Sequence, residues 1–191
     1  MEATVYIGIK LTWDYVHRTV TLYMPSYVHK ALHRFQKIVR GGKEYSPHTY
    51  APIQYIQTIQ NGDLLDTTEY LSDNETNLVQ QVCGTFLCYA IVIDTTILPA
   101  LSNISSDQSK ATTNAAKHVA KVLDYLASNP QAEIQYRASG MQLAIHSDGS
   151  CLSVAQARIR ASRVHFLTEG PPDPENPDDF VLTTNGILLL V

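Results

Sequence analysis

Ser72-Asp73-Asn74-Glu75 is followed by a run in which Leu78, Val82, Phe86, Tyr89 and Ile93 recur at steps of three or four. A serine and a glutamate three positions apart can satisfy each other's unpaired backbone amides, so this is the strongest helix start in the chain. The apolar stripe has the period of a helix, not the two-residue period of a strand. Any fold the chain adopts has to bury that stripe. Full burial of five such side chains contributes on the order of 7–15 kcal/mol before conformational entropy is subtracted. Gly84 lies inside the run and costs roughly 1 kcal/mol relative to alanine. Close approach of a neighbouring helix is its expected reason.

Two more helices follow. Asp94-Thr95-Thr96 breaks the first and offers caps for a helix over about 96–106, with Pro99 in its first turn, where a missing amide is tolerated. A third covers about 112–128 with the stripe Ala115, Val119, Val122, Leu123 and Leu126, and Asn129-Pro130 closes it. An earlier helix is expected from an N-cap at Ser26 to about residue 38, with Val28, Leu32 and Phe35 on one face.

Alternating apolar runs lie on either side of these helices. Residues 4–13 and 19–24 read as a β-hairpin across the polar turn 14–18. Residues 132–137 and 141–147, joined by Ala138-Ser139-Gly140, read as further strands, as do 162–168 and the apolar run 187–191. Glycine and proline make 40–71 an irregular connection and 170–177 an irregular loop. The chain is therefore expected to be α+β.

With 191 residues and 45% hydrophobic content, a packed core is feasible. The formal net charge of −4 lacks the basic excess that phosphate neutralisation asks of a free-standing nucleic-acid binder. The cysteines Cys83, Cys88 and Cys151 are odd in number and without paired spacing, so they read as small buried hydrophobes in a reducing compartment. The N-terminus has no signal-peptide pattern and no apolar run is long enough to span a bilayer, which points to a soluble, cytoplasmic chain with no membrane partner.

Asp148 is the most informative residue for chemistry. It ends the strand 141–147, in which Met141, Leu143 and Ile145 alternate to one face. An Asp-Gly-Ser after a strand reads first as a turn. Its other reading is a carboxylate free to reach a hard cation such as Mg²⁺. His29 and His33 are four apart on a helix, but no third ligand accompanies them, and they read as solvated. Asp178-Asp179 follows proline and reads as an acidic turn. Lys110, Lys117, Lys121, Arg137, Arg158, Arg160 and Arg163 read as solvated surface, with a backbone-tracking surface for nucleic acid as the rival.

Tyr6-Ile7-Gly8-Ile9, the hairpin, and Met24-Pro25-Ser26-Tyr27-Val28-His29-Lys30-Ala31-Leu32 are similar to the end of the reverse transcriptase in a copia-type LTR retrotransposon polyprotein, and the order of the later pieces resembles the rest of it. Val82-Cys83-Gly84-Thr85-Phe86-Leu87-Cys88-Tyr89-Ala90 and Asp94 resemble its connection segment, and Lys121-Val122-Leu123-Asp124-Tyr125-Leu126 the helix before ribonuclease H. Ile145-His146-Ser147-Asp148-Gly149-Ser150 resembles that domain's first strand with its first metal-binding aspartate. The resemblance implies four parts: the end of the polymerase palm and thumb over 1–38, a linker over 39–71, a helical connection over 72–130, and a truncated ribonuclease H-like mixed sheet over 131–191.

It further implies Asp148 as a remnant catalytic carboxylate and metal ligand, Gly8 as a residue that positions template and primer, Mg²⁺ as the cofactor, and an RNA–DNA hybrid as the parent protein's partner. The polymerase Tyr-x-Asp-Asp motif is absent, and the helix that should bring the next carboxylate would follow residue 191. The expectation is a fragment without catalytic activity of its own, binding nucleic acid weakly and holding Mg²⁺ loosely. The rival reading is a domesticated, non-enzymatic interaction module built on the helices.

Overall fold

The computed structural model describes residues 4–36, 43–49, 66–154, 158–169 and 185–190. Asp178-Asp179 and the proline-rich loop lie outside them. Four α-helices fall where sequence periodicity places them: α1 (Tyr27–Arg34), α2 (Asp73–Val92), α3 (Leu98–Ser106) and α4 (Thr113–Ser128). The capping box at the start of α2 forms in both directions. Ser72 Oγ accepts from the Glu75 amide, and the Ser72 amide donates to Glu75 Oε2 at 3.0 Å. Thr112 caps α4 by accepting from the Ala115 amide at 3.3 Å.

Ser26 stands at the N-cap of α1, but its φ of 59° is left-handed and its side chain caps nothing. A capping serine needs extended backbone. Pro99 lies in the first turn of α3, which a short 3-10 turn (Thr95–Ile97) precedes.

All five expected stripe residues of α4 are buried. In α2, Val82, Phe86, Tyr89 and Ile93 are buried, but Leu78 is 46% exposed and Val79 is buried instead. The inward arc is centred one residue further along than the stripe implies. One continuous core results, from Val28 of α1 through α2 and α3 to Leu126 of α4. Tyr27 stacks on Tyr89 at 5.4 Å between ring centres, meets the edge of Phe86, and donates its hydroxyl to the Thr85 carbonyl at 2.6 Å. Burial pushes the Tyr89 phenol up to about 12.

Two readings of α2 need correction. Cys83 is buried, but Cys88 is exposed. Gly84 is also exposed, and a Cβ built there meets nothing within 4 Å, so no neighbouring helix explains the glycine. It therefore carries the entropic penalty of a helical glycine with no packing return. Gly84→Ala is expected to stabilise the protein by about 1 kcal/mol. A urea titration would read this as a higher midpoint at unchanged slope; an unchanged or lower midpoint would contradict it.

The strands form two antiparallel sheets. The first has the order β1-β2-β3-β4, from β1 (Thr4–Tyr6), β2 (Ile9–Asp14), β3 (Thr19–Tyr23) and β4 (Glu133–Arg137). Residues 4–13 are thus not one strand. Ile7 and Gly8, with φ of 50° and 80°, turn the chain between β1 and β2. Positive φ at both central residues is the signature of the tight I′ hairpin turn. β4 runs beside β3, from Tyr23↔Glu133 to Thr19↔Arg137. This pairing crosses the domain boundary expected at residue 130.

The second sheet has the order β5-β6-β7, from β5 (Gln142–Val154), β6 (Arg158–Thr168) and β7 (Asn185–Leu190). The expected mixed sheet is not seen here, since every described pairing is antiparallel. Neighbours in a meander need no crossover connection. Among the described residues no helix is long and apolar enough to cross a membrane.

The described parts of the 40–71 connection have no helix or extended strand, yet they are anchored. The Glu44 amide donates to Ser128 Oγ at 3.0 Å and its carboxylate pairs with Lys121. Asp66 accepts from the Thr112 hydroxyl at 2.5 Å and from the amide and hydroxyl of Thr68. These donors, Thr112 first, pull its carboxyl down to about 2 from an ordinary 3.8. A carboxyl lowered by folding contributes stability that is present above its unfolded pKa and lost as pH falls through the folded one. Between about pH 4 and pH 2 the wild type should therefore lose stability more steeply than Asp66→Asn. Urea midpoints measured across that range would test this, and parallel profiles would contradict it.

Candidate functional site

β5 does not stop at Ser147. Asp148, Gly149 and Ser150 continue the strand opposite Ser162, Ala161 and Arg160. The turn reading of Asp-Gly-Ser is therefore wrong. Thirteen residues of strand, paired along most of their length with β6, hold the backbone extended through this motif. A strand-borne carboxylate stands off a sheet face, where a turn carboxylate would fold back on its own amides.

Cross-strand pairing fixes what shares that face. Ala144 lies opposite Phe166, His146 opposite Val164 and Asp148 opposite Ser162. The rings of His146 and Phe166 approach to 5.6 Å. Phe166 is buried and Asp148 is exposed. Arg163 is paired with Ser147 and so belongs to the other face. That other face carries Leu143 and Ile145, 58% and 53% exposed, with Met141 beside them at 65%. The apolar alternation of the sequence is real, but among the described residues it faces outward.

Mg²⁺ needs near-octahedral oxygen coordination, and a two-metal centre needs several carboxylates. Among the described residues, no three His, Cys, Asp or Glu side chains converge anywhere. On the face of Asp148 the described neighbours are an imidazole, a hydroxyl and apolar groups. That donor set does not amount to a Mg²⁺ centre. His29 and His33 are both exposed on α1 and gain no third ligand among the described residues. Gly8 occupies the β1–β2 turn with open space around a Cβ position, and its φ of 80° suffices to explain the glycine. Lys121 is engaged by Glu44 and Arg163 faces away from Asp148, so neither contributes a basic surface beside the carboxylate.

Sequence reasoning missed the two features that join the sheets. The first is Asn185, which is 2% exposed at the start of β7. Its Oδ1 accepts from the Arg137 amide at 2.7 Å, and its Nδ2 donates to the Arg137 carbonyl at 2.6 Å and to Ser139 Oγ at 2.9 Å. The carboxamide thus fills both backbone positions of the last residue in β4. Gly186 follows with a φ of 67°, and a Cβ there would collide with the ring of Tyr136. Asn-Gly in a sequence reads as a turn. Its use as a clamp depends on a partner 48 positions earlier, for which the sequence carries no local sign.

The second feature is a cavity of about 1020 Å³ between β4, the end of α2 and the second sheet. Its lining includes Ile93, Asp94, Gln135, His146, Val164 and Phe166. Asp94 is buried there and caps the 3-10 turn by accepting from the Thr96 amide. The inner face of β5–β6 therefore looks onto this cavity, with Asp148 further along the same face.

Compared with known proteins, the chain matches no family model, no curated protein and no solved structure.

Proposed function

We propose that this chain is a segment of a copia-type retrotransposon polyprotein. It would carry the end of the reverse transcriptase, the connection helices and the first strands of a ribonuclease H-like sheet. It would have no hydrolytic activity of its own. The observation that supports this reading best is Asp148 inside a long antiparallel β5–β6 pair, with β7 as third strand and α4 upstream. A metal-binding aspartate of the family's first strand calls for that setting, and a turn would not provide it. The motif order along the chain supports the rest.

Inactivity follows from the chemistry of the parent reaction. Two-metal hydrolysis holds both ions between several carboxylates so that the attacking and leaving oxygens are in line. Asp148 contributes one. In the parent protein an RNA–DNA hybrid would be the substrate and Mg²⁺ the cofactor. The low charge of this chain predicts weak affinity for either strand.

The test is incubation of the purified chain with a labelled RNA–DNA hybrid and Mg²⁺. No cleavage above buffer is expected. Cleavage that disappears in Asp148→Asn would overturn the inactivity. The polyprotein origin is tested separately in the gene: a Tyr-x-Asp-Asp hairpin should be encoded upstream and a glutamate-bearing helix downstream, and unrelated flanking sequence would overturn it.

A further inference from the structure

We infer that the 1020 Å³ cavity is a binding site for an organic ammonium ion with an apolar body, held at Asp94. This site does not rest on the polyprotein reading or on Asp148.

Among the described residues Asp94 is the one buried charged side chain, 5% exposed, and it lines the cavity. Both of its hydrogen bonds end on Oδ1, one from the Thr96 amide at 3.3 Å and one from the Thr96 hydroxyl. Its other oxygen, Oδ2, takes no bond, and no described cation pairs with it. Among the described residues only Thr168 Oγ1 is a buried side-chain polar atom without a partner, so Oδ2 of Asp94 is open to the cavity. A carboxylate this deep in a fold is costly unless a cation or further hydrogen bonds compensate it.

The neighbouring hydroxyls fix what a ligand must offer. Thr96 has one hydroxyl proton, and it goes to Asp94. Thr96 Oγ1 also lies 3.1 Å from the Tyr125 hydroxyl, so Tyr125 is the donor of that bond. Its phenol oxygen then has only lone pairs left to offer, as does Asp94 Oδ2. Thr96 and Tyr125 both line the cavity. A polar end that presents acceptors takes a ligand that brings donors, and beside a carboxylate a charged donor bonds most strongly.

Charge and shape narrow the ligand. Glu133 also lines the cavity, and among the described lining residues there is no lysine or arginine, so an anion would be repelled. A bare metal ion is not the fit, because no three His, Cys, Asp or Glu side chains converge among the described residues. An ammonium group supplies three donors on one charge. Ile93, Val164 and the buried ring of Phe166 form apolar walls of the same cavity and suit a hydrocarbon body attached to it.

The probe is 2-phenylethylammonium, titrated into the full chain at constant ionic strength to about 30 mM, which covers the affinity of so small a ligand. The readout is the NMR shift of the Thr96 amide, which is bonded to Asp94. A saturable shift is expected. The alcohol 2-phenylethanol has the same body without the charge and should bind about tenfold more weakly, the value of one charge-assisted hydrogen bond. Asp94→Asn keeps an Oδ1 acceptor for the Thr96 amide, and asparagine caps as well as aspartate. It should weaken the amine about tenfold and leave the alcohol unchanged. Should that variant fail to fold, the comparison of amine with alcohol on the wild type carries the test. The assignment is overturned if the Thr96 amide shows no saturable shift, if the alcohol binds as tightly as the amine, or if folded Asp94→Asn binds the amine as the wild type does.

Discussion

Phe86→Ala is expected to destabilise the protein by about 3–5 kcal/mol, a large share of the stability of an ordinary domain. Phe86 has no exposed surface and sits where α2 meets α1. Its ring lies 6.5 Å from Tyr27, edge-on, and 6.4 Å from Phe35. Truncation removes transfer free energy and leaves a cavity that Tyr27 cannot fill, because the Tyr27 hydroxyl is held by the Thr85 carbonyl and its ring by Tyr89. Both losses add in a close-packed interior. Leu78→Ala on the same helix should cost only about 1 kcal/mol, because that side chain is half in water already. Urea unfolding of the two variants gives the comparison. Equal losses would mean that α2 does not bury the arc described.

Asn185→Ala should cost about 2–3 kcal/mol, from the loss of three part-buried hydrogen bonds, two of them to the Arg137 backbone. The loss has a location as well as a size. Because the carboxamide ties β7 to β4, amide exchange should rise first at Arg137 and through β5–β7, while the helical core keeps its protection. Asn185→Asp separates donor from acceptor. It can still accept from the Arg137 amide, but it sets a carboxylate against the Arg137 carbonyl, so it should also destabilise. Uniform acceleration of exchange across all helices and strands, or none, would contradict the clamp.

The helices are legible in the sequence because their signals are local. The capping box of Ser72 and Glu75 and the stripe from Ala115 to Leu126 each lie within a few turns of chain, and backbone geometry makes such residues meet whatever else the chain does. The strands are legible in place but not in partnership. Residues 133–137 alternate as a strand should, yet nothing in them says that their neighbour is Thr19–Tyr23 and not the strand that begins at Gln142. Asp148 reads as a turn residue because Asp-Gly-Ser usually is one. The long ladder with β6 outweighs that preference, since paired backbone amides on one side stabilise extension through a glycine. Gly84 invites a packing reason that it does not have, because periodicity shows that a position is on a helix and not how far away the next helix is.

By itself the sequence determined that the chain is α+β, where its described helices run, and that Ser72 and Glu75 cap α2. Tertiary structure alone decided that β4 joins the first sheet, that Asn185 fastens the second sheet to its edge, that the apolar alternation around Asp148 faces outward, and that a cavity opens beside Gln135. The division follows from the range of the forces involved. Helix propensity and capping act within four residues, whereas strand pairing, side-chain clamps and cavities are set by groups brought together over distances at which the sequence has no periodicity to report them.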